Sequence, residues 1–215
     1  MRDQQGQPWF AIEGGGVARQ LPDGQYQRFG QKAGLPVRVA YQLLQDRQGT
    51  MWVATQQGLY RADPAASEIR FEQVALLPQN PDVNVFALAL DAQGRLLVGS
   101  EKGLFRFDGL QFSLVDPGLA DVAVTALHVD AQNQIWIGTL SQGLQRFSEL
   151  GIEQLAVQDG LPNNRVLSIF QDSEQSIWVG TNAGLYRLRE TPFTNLTQQQ
   201  GLADNYVRTV LEHTD

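Results

Sequence analysis

The stretch "SIWVGTNAGLYRL", residues 176–188, joins an alternating apolar run that contains one aromatic residue to a small polar turn and a Gly-Leu-x-Arg phrase. Nearly the same phrase begins at Thr50, as "TMWVATQQGLYRA", and at Gln134, as "QIWIGTLSQGLQRF". Recurrence at a fixed period indicates a repeat architecture, in which the repeated positions carry the scaffold. The phrase therefore decides the fold.

An aspartate precedes the aromatic position of this phrase by six residues in every copy. The aspartates are Asp3, Asp46, Asp91, Asp130 and Asp172. The aromatic slot is held by Trp9, Trp52, Leu97, Trp136 and Trp178, spaced 39 to 45 residues apart, so the slot accounts for all 4 tryptophans. The chain thus contains five repeats.

Each repeat has the pattern of four short strands. An apolar-rich run of six residues precedes the aspartate at 40–45, 85–90, 124–129 and 166–171, and a further copy lies at 207–212. The strand with the tryptophan, the strand that begins at Gly-Leu and a short last strand follow it. Asp-x-x-Gly turns suit tight hairpins, and four-stranded antiparallel repeats of this length are typical of β-propeller blades. We therefore predict an all-β propeller region over residues 1–215, without helices.

Two repeated side chains are interpreted as scaffold. A tryptophan in every blade can fill the wedge to the next blade, although stacking on sugars is the alternative. The arginines of the Gly-Leu-x-Arg phrase are expected to pair with the turn aspartate of a neighbouring blade rather than to form five equivalent ligand sites.

Residues 160–188, "GLPNNRVLSIFQDSEQSIWVGTNAGLYRL", resemble the repeat of the two-component regulator propeller family. Less complete copies of its Gly-Leu-Pro start lie at Gly34-Leu35-Pro36, Gly118-Leu119 and Gly201-Leu202. The resemblance implies the periplasmic or extracellular sensor region of a bacterial inner-membrane receptor. In such receptors a β-sandwich, a transmembrane helix and a histidine kinase or diguanylate cyclase follow as downstream partners, and well-known members recognise oligosaccharides.

The resemblance also bears on the number of blades, since members usually have seven per propeller. We expect these five repeats to be part of a larger propeller, because the chain stops inside a turn. The alternative is a closed five-bladed ring, in which strand 207–212 completes the first blade.

Composition excludes several classes of protein. The 42% hydrophobic and 18% charged residues are those of a globular domain, and without cysteine there are no disulfides or thiolate sites. A net charge of −7 disfavours nucleic-acid binding. The longest apolar run, 85–90, is far shorter than the ~20 residues that span a bilayer, and the N-terminus lacks a signal-peptide pattern.

Catalytic and metal-binding motifs are absent from the sequence. The two histidines, His128 and His213, lack the spacing of metal ligands, and there is no nucleophile elbow or phosphate loop. We therefore predict no enzyme activity, no metal and no cofactor.

A ligand site is expected where the repeats differ, because identical positions serve the scaffold. The loops that lead from the last strand of one blade to the first strand of the next differ most, and they open on one face together with the loops after the tryptophan strand. Amides, guanidinium groups and an aromatic ring there suit a hydroxyl-rich ligand. The candidates are Arg38, Asn84, Asn163, Asn164, Arg165, Asn182, Asn205 and Tyr206, which Glu13 and Gln142 could join. The alternative is that these residues only cap strands.

The sequence thus predicts a non-catalytic, ligand-sensing propeller of a bacterial signalling receptor, with oligosaccharide binding at the loop face as the finer hypothesis. Two alternatives stay open. One is a propeller enzyme, such as a polysaccharide or lactone lyase, that uses His128. The other is a structural propeller that relays dimerisation.

Overall fold

The computed structural model describes residues 1–12, 14, 16–36, 39–148, 150–161, 163–188, 194–196, 198, 201, 203 and 207. Within them the chain forms two compact modules, which we call the N-terminal module (Met1–Val115) and the C-terminal module (Asp116–Asp215). No helix in this described part is long and apolar enough to cross a membrane.

In the described residues, nineteen strands form five antiparallel sheets, and strands that follow one another in sequence are neighbours in each sheet. Three sheets lie in the N-terminal module. Blade 1 comprises β1 (Trp9–Ile12), β2 (Gly16–Gln20) and β3 (Tyr26–Phe29). Blade 2 comprises β4 (Ala40–Gln45), β5 (Met51–Thr55), β6 (Gly58–Ala62) and β7 (Glu72–Val74). Blade 3 comprises β8 (Val85–Leu90), β9 (Leu96–Ser100), β10 (Gly103–Phe107) and β11 (Phe112–Leu114).

The C-terminal module contains the other two sheets. Blade 4 comprises β12 (Val124–Val129), β13 (Ile135–Thr139), β14 (Leu144–Ser148) and β15 (Gly151–Leu155). Blade 5 comprises β16 (Val166–Gln171), β17 (Ile177–Thr181), β18 (Gly184–Leu188) and β19 (Thr194–Leu196). The predicted propeller blades are confirmed, and the four six-residue runs are strands with the predicted bounds. The predicted strand 207–212 lies, except for Val207, outside the described residues.

Each first strand of a four-stranded blade contains an irregularity at its second residue. The register shifts there in all four such strands: between Ala40 and Gln42, Val85 and Ala87, Val124 and Ala126, and Val166 and Ser168. Such bulges increase the local twist of a sheet. The regular alternation of the runs does not reveal them.

The turn between the first two strands is organised by its aspartate. In blade 5, Asp172 Oδ1 accepts the backbone amides of Glu174 and Ser176, and Asp172 Oδ2 accepts Trp178 Nε1 at 2.7 Å. Burial alone raises the pKa of the Asp172 carboxyl, but these hydrogen bonds and the charge of Arg187 outweigh burial, and the pKa is lowered. The spacing of six residues therefore serves an aspartate that ties a turn to an indole.

A buried hydroxyl group locks the next hairpin. Thr139 Oγ1 donates to the carbonyl of Gly143 and accepts the amide of Gln142, and Gly143 has φ = 80°. A Cβ on Gly143 would lie 2.3 Å from the carbonyl oxygen of Leu155, so the close approach and the positive φ both require glycine. The hydroxyl-to-glycine bond recurs in Thr55, Ser100 and Thr181.

The leucines of three Gly-Leu starts are buried in the connections between blades. Gln31–Ala33 forms a single 3-10 turn, Gly34 follows with φ = 81°, and Leu35 is fully buried. The same arrangement recurs at Leu161, which follows the turn Val157–Asp159 and Gly160, whereas the buried Leu119 is itself the last residue of the turn Pro117–Leu119. These one-turn helices are the elements that the helix-free sequence interpretation missed, because a three-residue turn has no apolar periodicity.

Tryptophans fill the wedges between blades of the N-terminal module, as predicted. Trp9 is 1% exposed and stacks on Phe29 at 5.3 Å, in a core shared with Met51 and Tyr60 of blade 2. Trp52 is 2% exposed and belongs to the core that blade 2 shares with blade 3.

The ion pairs of four repeated arginines lie within their own blades, so the prediction of ion pairs to a neighbouring blade is wrong for them. Arg106 and Arg187 pair with the turn aspartates Asp91 and Asp172 of their own blades. Arg61 and Arg146 bind Glu72 and Glu153, which lie directly opposite them on the last strand of the same sheet. For Arg61 and Arg146, a glutamate directly opposite on the next strand lies within reach, and its carboxylate forms the ion pair.

Candidate functional site

Candidate ligand residues lie on the loops at one end of the blades. Four of the residues considered for this loop face, Glu13, Arg38, Asn205 and Tyr206, lie outside the described residues. The others fall in two groups. Asn84 belongs to the N-terminal module, whereas Asn163, Asn164, Arg165, Asn182 and Gln142 belong to the C-terminal module.

In blade 3, Asn84 links the loop before β8 to the loop between β9 and β10. Asn84 Nδ2 donates to Glu101 Oε2 at 2.9 Å, and the Asn84 carbonyl accepts the amide of Glu101 at 3.0 Å. Sequence reasoning missed Glu101. A signal was available, because Glu101 follows Ser100 just as Asn182 follows Thr181, so the two residues hold equivalent positions in their blades.

In the C-terminal module three loops meet around residues 163–165. Asn163 Oδ1 accepts the amide of Arg165 at 2.7 Å, and Asn164 Oδ1 accepts the amide of Val157 at 2.9 Å. The Asn164 carbonyl accepts the amide of Gly143 from the neighbouring blade 4 at 2.9 Å. Both asparagines thus cap local backbone, as the alternative interpretation expected of them.

Arg165 and Asn182 differ from these capping residues. The side chain of Arg165 is exposed, and its carbonyl accepts the amide of Asn182 at 3.4 Å, so the two residues are neighbours. Asn182 Oδ1 is buried and accepts no hydrogen bond. Nearly all buried polar atoms have a hydrogen-bond partner, so an unsatisfied acceptor on a residue whose backbone contacts that of an exposed arginine is a feature that a ligand donor could complete. Gln142 is exposed, and its carbonyl accepts Gln154 Nε2 at 2.6 Å.

His128 lies apart from this loop face. It is on the inner strand of blade 4, and its Nε2 lies 3.2 Å from Gln171 Oε1 of blade 5. In the part of the chain that the structure describes, no group of three or more histidine, aspartate, glutamate or cysteine side chains could hold a metal ion.

Comparison with known proteins identifies the repeat. The family model described as two component regulator propeller matches residues 34–57, 118–141 and 160–183. These segments run from the Gly-Leu start to the loop after the tryptophan strand, which is the pattern recognised in the sequence. No curated protein matches the chain.

Solved structures share the fold at low sequence identity. The extracellular domain described as that of a hybrid two component system of B. thetaiotaomicron has a TM-score of 0.85 and 20% identity, and the match covers 100% of this chain and 30% of that one. The extracellular domain described as that of a one component system of the same organism has a TM-score of 0.73 and 22% identity, over 86% of this chain and 26% of that one. A virginiamycin B lyase from Staphylococcus aureus has a TM-score of 0.71 and 14% identity, over 91% of this chain and 68% of that one.

This chain therefore spans less than a third of the two extracellular domains that it resembles. At these identities the likeness shows the fold alone. Taken together, three segments match the two component regulator propeller model, and the chain that carries them folds into the blades of a β-propeller.

Proposed function

We propose that this chain is a non-catalytic, ligand-sensing region of a bacterial signalling receptor, held on the periplasmic or extracellular side of the membrane. The two component regulator propeller repeats support this function, and two of the similar structures are described as extracellular domains of signalling systems. Downstream signalling domains and self-association as a dimer are parts of the same proposal.

The position of His128 supports a role without catalysis. A general base has to lie within hydrogen-bond reach of the ligand on which it acts. His128 lies near the end of the first strand of blade 4, away from the loop face, where its Nε2 contacts Gln171 Oε1 of the neighbouring blade.

For the ligand we propose an oligosaccharide at the loop face of the C-terminal module. The observation that carries this proposal is the buried, unsatisfied Asn182 Oδ1 next to the exposed Arg165. Sugar hydroxyls both donate and accept, so one hydroxyl could donate to Asn182 while its neighbour accepts from the guanidinium.

The test is a titration of the purified chain with a broad panel of oligosaccharides, followed by calorimetry for any that bind. Arg165→Ala and Asn182→Ala should each weaken binding by about tenfold, since a lost hydrogen bond to a charged or buried group is worth about 1.4 kcal/mol or more. Arg28→Ala is the matched control, because it removes an equally exposed arginine from blade 1. A panel without any binder, or equal binding by all variants, would contradict the proposal.

A propeller lyase is the alternative function, and its fold is represented among the similar structures. It predicts that polysaccharide or lactone substrates are cleaved and that His128→Ala abolishes cleavage. Cleavage that His128→Ala removes would replace the sensing proposal.

A further inference from the structure

A cleft between blades 4 and 5 extends from their aspartate turns along strands β14 and β15 of blade 4. Its volume is about 880 Å³, and the residues along it include Trp136, Arg146 and Glu153 of blade 4 and Gln171, Gln175 and Leu188 of blade 5. All of them lie in the C-terminal module, near the aspartate turns of the two blades. None of them is among the candidate loop-face residues.

The equivalent wedge between blades 2 and 3 is filled by aromatic side chains. Phe107 packs edge-on against Trp52 with ring centroids 5.7 Å apart, and it also contacts Phe112 at 4.7 Å. Phe107 stands four residues after the glycine that starts β10, and Leu188 stands four residues after the glycine that starts β18. Among the described residues, the smaller leucine therefore occupies the position of Phe107 in blade 5, and the position of Phe112 falls at Phe193, which lies outside the described residues.

As a result, the two tryptophans are in different environments. Trp52 is 2% exposed, whereas Trp136, at the same position of blade 4, is partly exposed along the cleft. The Trp136 indole keeps its scaffold bond, because Nε1 donates to Asp130 Oδ2 at 2.9 Å. Its ring is held in place by that bond and by the guanidinium of Arg146, 5.4 Å from the ring centroid.

Polar residues replace apolar ones deeper in the same wedge. Leu44 and Leu90 pack in the core between blades 2 and 3, and the residues at their positions in blades 4 and 5 are His128 and Gln171. Gln171 Oε1 lies 3.2 Å from His128 Nε2, and Gln171 Nε2 donates to Gln175 Oε1 at 3.0 Å. A hydrogen-bonded chain thus runs from the wedge to the exposed amide of Gln175.

Gln175 also stands where a glycine would suit the backbone better. Its φ is 65°, and the corresponding turn residues of blades 1, 2 and 3 are Gly6, Gly49 and Gly94 with φ of 79°, 93° and 78°. Blade 5 therefore has a side chain along the cleft at a position where the backbone conformation favours glycine.

From these contacts we infer that the cleft between blades 4 and 5 is a second binding site, one that takes a neutral saccharide. Amide groups offer both donors and acceptors to hydroxyl groups, and a fixed indole offers an apolar face to a pyranose ring. Arg146 is already paired with Glu153, so the cleft presents no uncompensated cation that would select sulfate, phosphate or uronate groups. The inference stands apart from the loop-face proposal, because the two sites share no residue.

The experiment is a titration of the whole chain with neutral hexasaccharides, namely cellohexaose, maltohexaose, laminarihexaose, xylohexaose and mannohexaose. The indole N–H resonance of Trp136, assigned by comparison with Trp136→Phe, is followed by NMR. At least one of these saccharides should shift this resonance in a saturable manner at millimolar concentration. Shifts confined to the amides of Arg165 and Asn182 would support only the loop-face site and would overturn this inference.

Two variants separate binding from folding. Leu188→Phe restores the aromatic plug of blade 3 and should weaken saccharide binding at least about tenfold while the chain stays folded, since the same pair exists at Trp52 and Phe107. Leu188→Met is its matched control, because it conserves volume and should bind like the original chain.

Gln175→Gly is the second variant that separates an effect on saccharide binding from an effect on folding. It removes the exposed amide and relieves the positive φ, so it should weaken binding while raising the midpoint of thermal unfolding. Unchanged saccharide affinity in both Leu188→Phe and Gln175→Gly would overturn the inference, as would the absence of any shift at Trp136 with all five saccharides.

Discussion

Arg95 Nε lies 2.7 Å from Asp91 Oδ2, the atom that accepts a tryptophan indole in the other four blades. Blade 3 has Leu97 in the tryptophan slot, and Arg95 supplies the missing donor, while Arg106 Nε forms an ion pair with the same oxygen at 3.4 Å without a hydrogen bond. The turn aspartate is therefore the constant part of the repeat, and its partner is the variable part. A buried carboxylate requires donors, whichever side chain provides them.

The aspartate turn should contribute strongly to stability. Asp46→Ala leaves the amide of Thr50 and the buried Trp52 Nε1 without their acceptor, and it should lower the free energy of unfolding by about 2 to 4 kcal/mol. Urea unfolding followed by circular dichroism measures the change. Asp23→Ala, which removes one exposed hydrogen bond to the amide of Gln25, is the control and should cost less than about 1 kcal/mol. Equal costs would contradict this role of the turn.

Replacing Leu97 of blade 3 with the tryptophan found in the other blades should lower the free energy of unfolding. Leu97 is fully buried, and Asp91 Oδ2 is already bound by arginine, so Leu97→Trp adds volume without gaining its usual acceptor. Overpacking of this kind costs about 1 to 3 kcal/mol, measured by the same urea unfolding. The volume-conserving Leu97→Met should cost less than about 1.5 kcal/mol. A stabilised Leu97→Trp protein would mean that the slot accepts tryptophan independently of its aspartate.

The strained turn of blade 5 should gain stability from glycine. Gln175 has φ = 65°, a conformation that costs a residue with a side chain about 1 kcal/mol, so Gln175→Gly should raise the free energy of unfolding by about 0.5 to 1 kcal/mol. Differential scanning calorimetry of the two proteins checks this value. Gln132→Gly, a change two positions into the turn of blade 4, should have the opposite sign, because that backbone does not have a positive φ.

Alkaline pH should unfold the C-terminal module through a buried tyrosine. Tyr186 is 2% exposed, and burial raises the pKa of its phenol from 10.0 to about 12. Because the folded pKa is the higher one, this contribution to stability is fully present below pH 10 and is lost as the pH rises through about 12. A titration that follows phenolate absorbance and circular dichroism together should show the last phenol ionising as the sheet signal is lost. Tyr186→Phe should move the loss of structure to higher pH, and an unmoved transition would contradict this cause.

The strands next to the aspartate turn could be predicted to the residue. The runs at 40–45, 85–90, 124–129 and 166–171 end where the aspartate begins its turn, so alternation and turn chemistry mark the same boundary. The last strands are harder to predict, because they are short edge strands with few buried side chains. In blade 2 the sequence predicts the last strand at 70–74, "RFEQV", whereas β7 begins at Glu72.

The contacts of the candidate site could not be predicted as the strands could. Asn163 and Asn164 lie on a loop, and the side-chain oxygen of each accepts a backbone amide. The unsatisfied oxygen of Asn182 leaves no mark in the sequence, because a missing partner is a property of its surroundings. Arg38, Asn205 and Tyr206 lie outside the described residues, and the ligand-binding role of all eight candidates stays a prediction.

By itself the sequence determined the repeat, the strand order within each blade and the scaffold role of its recurring phrase, since these depend on neighbours close along the chain. Only the tertiary structure decided which partner each polar group has and where a wedge stays open. The contact between His128 and Gln171 joins residues 43 positions apart. Trp136 and Leu188 line the same cleft from two different blades, and Leu188 occupies the place that Phe107 has in blade 3. Packing between blades depends on side-chain volume on both sides of a wedge, and that comparison needs both blades in place.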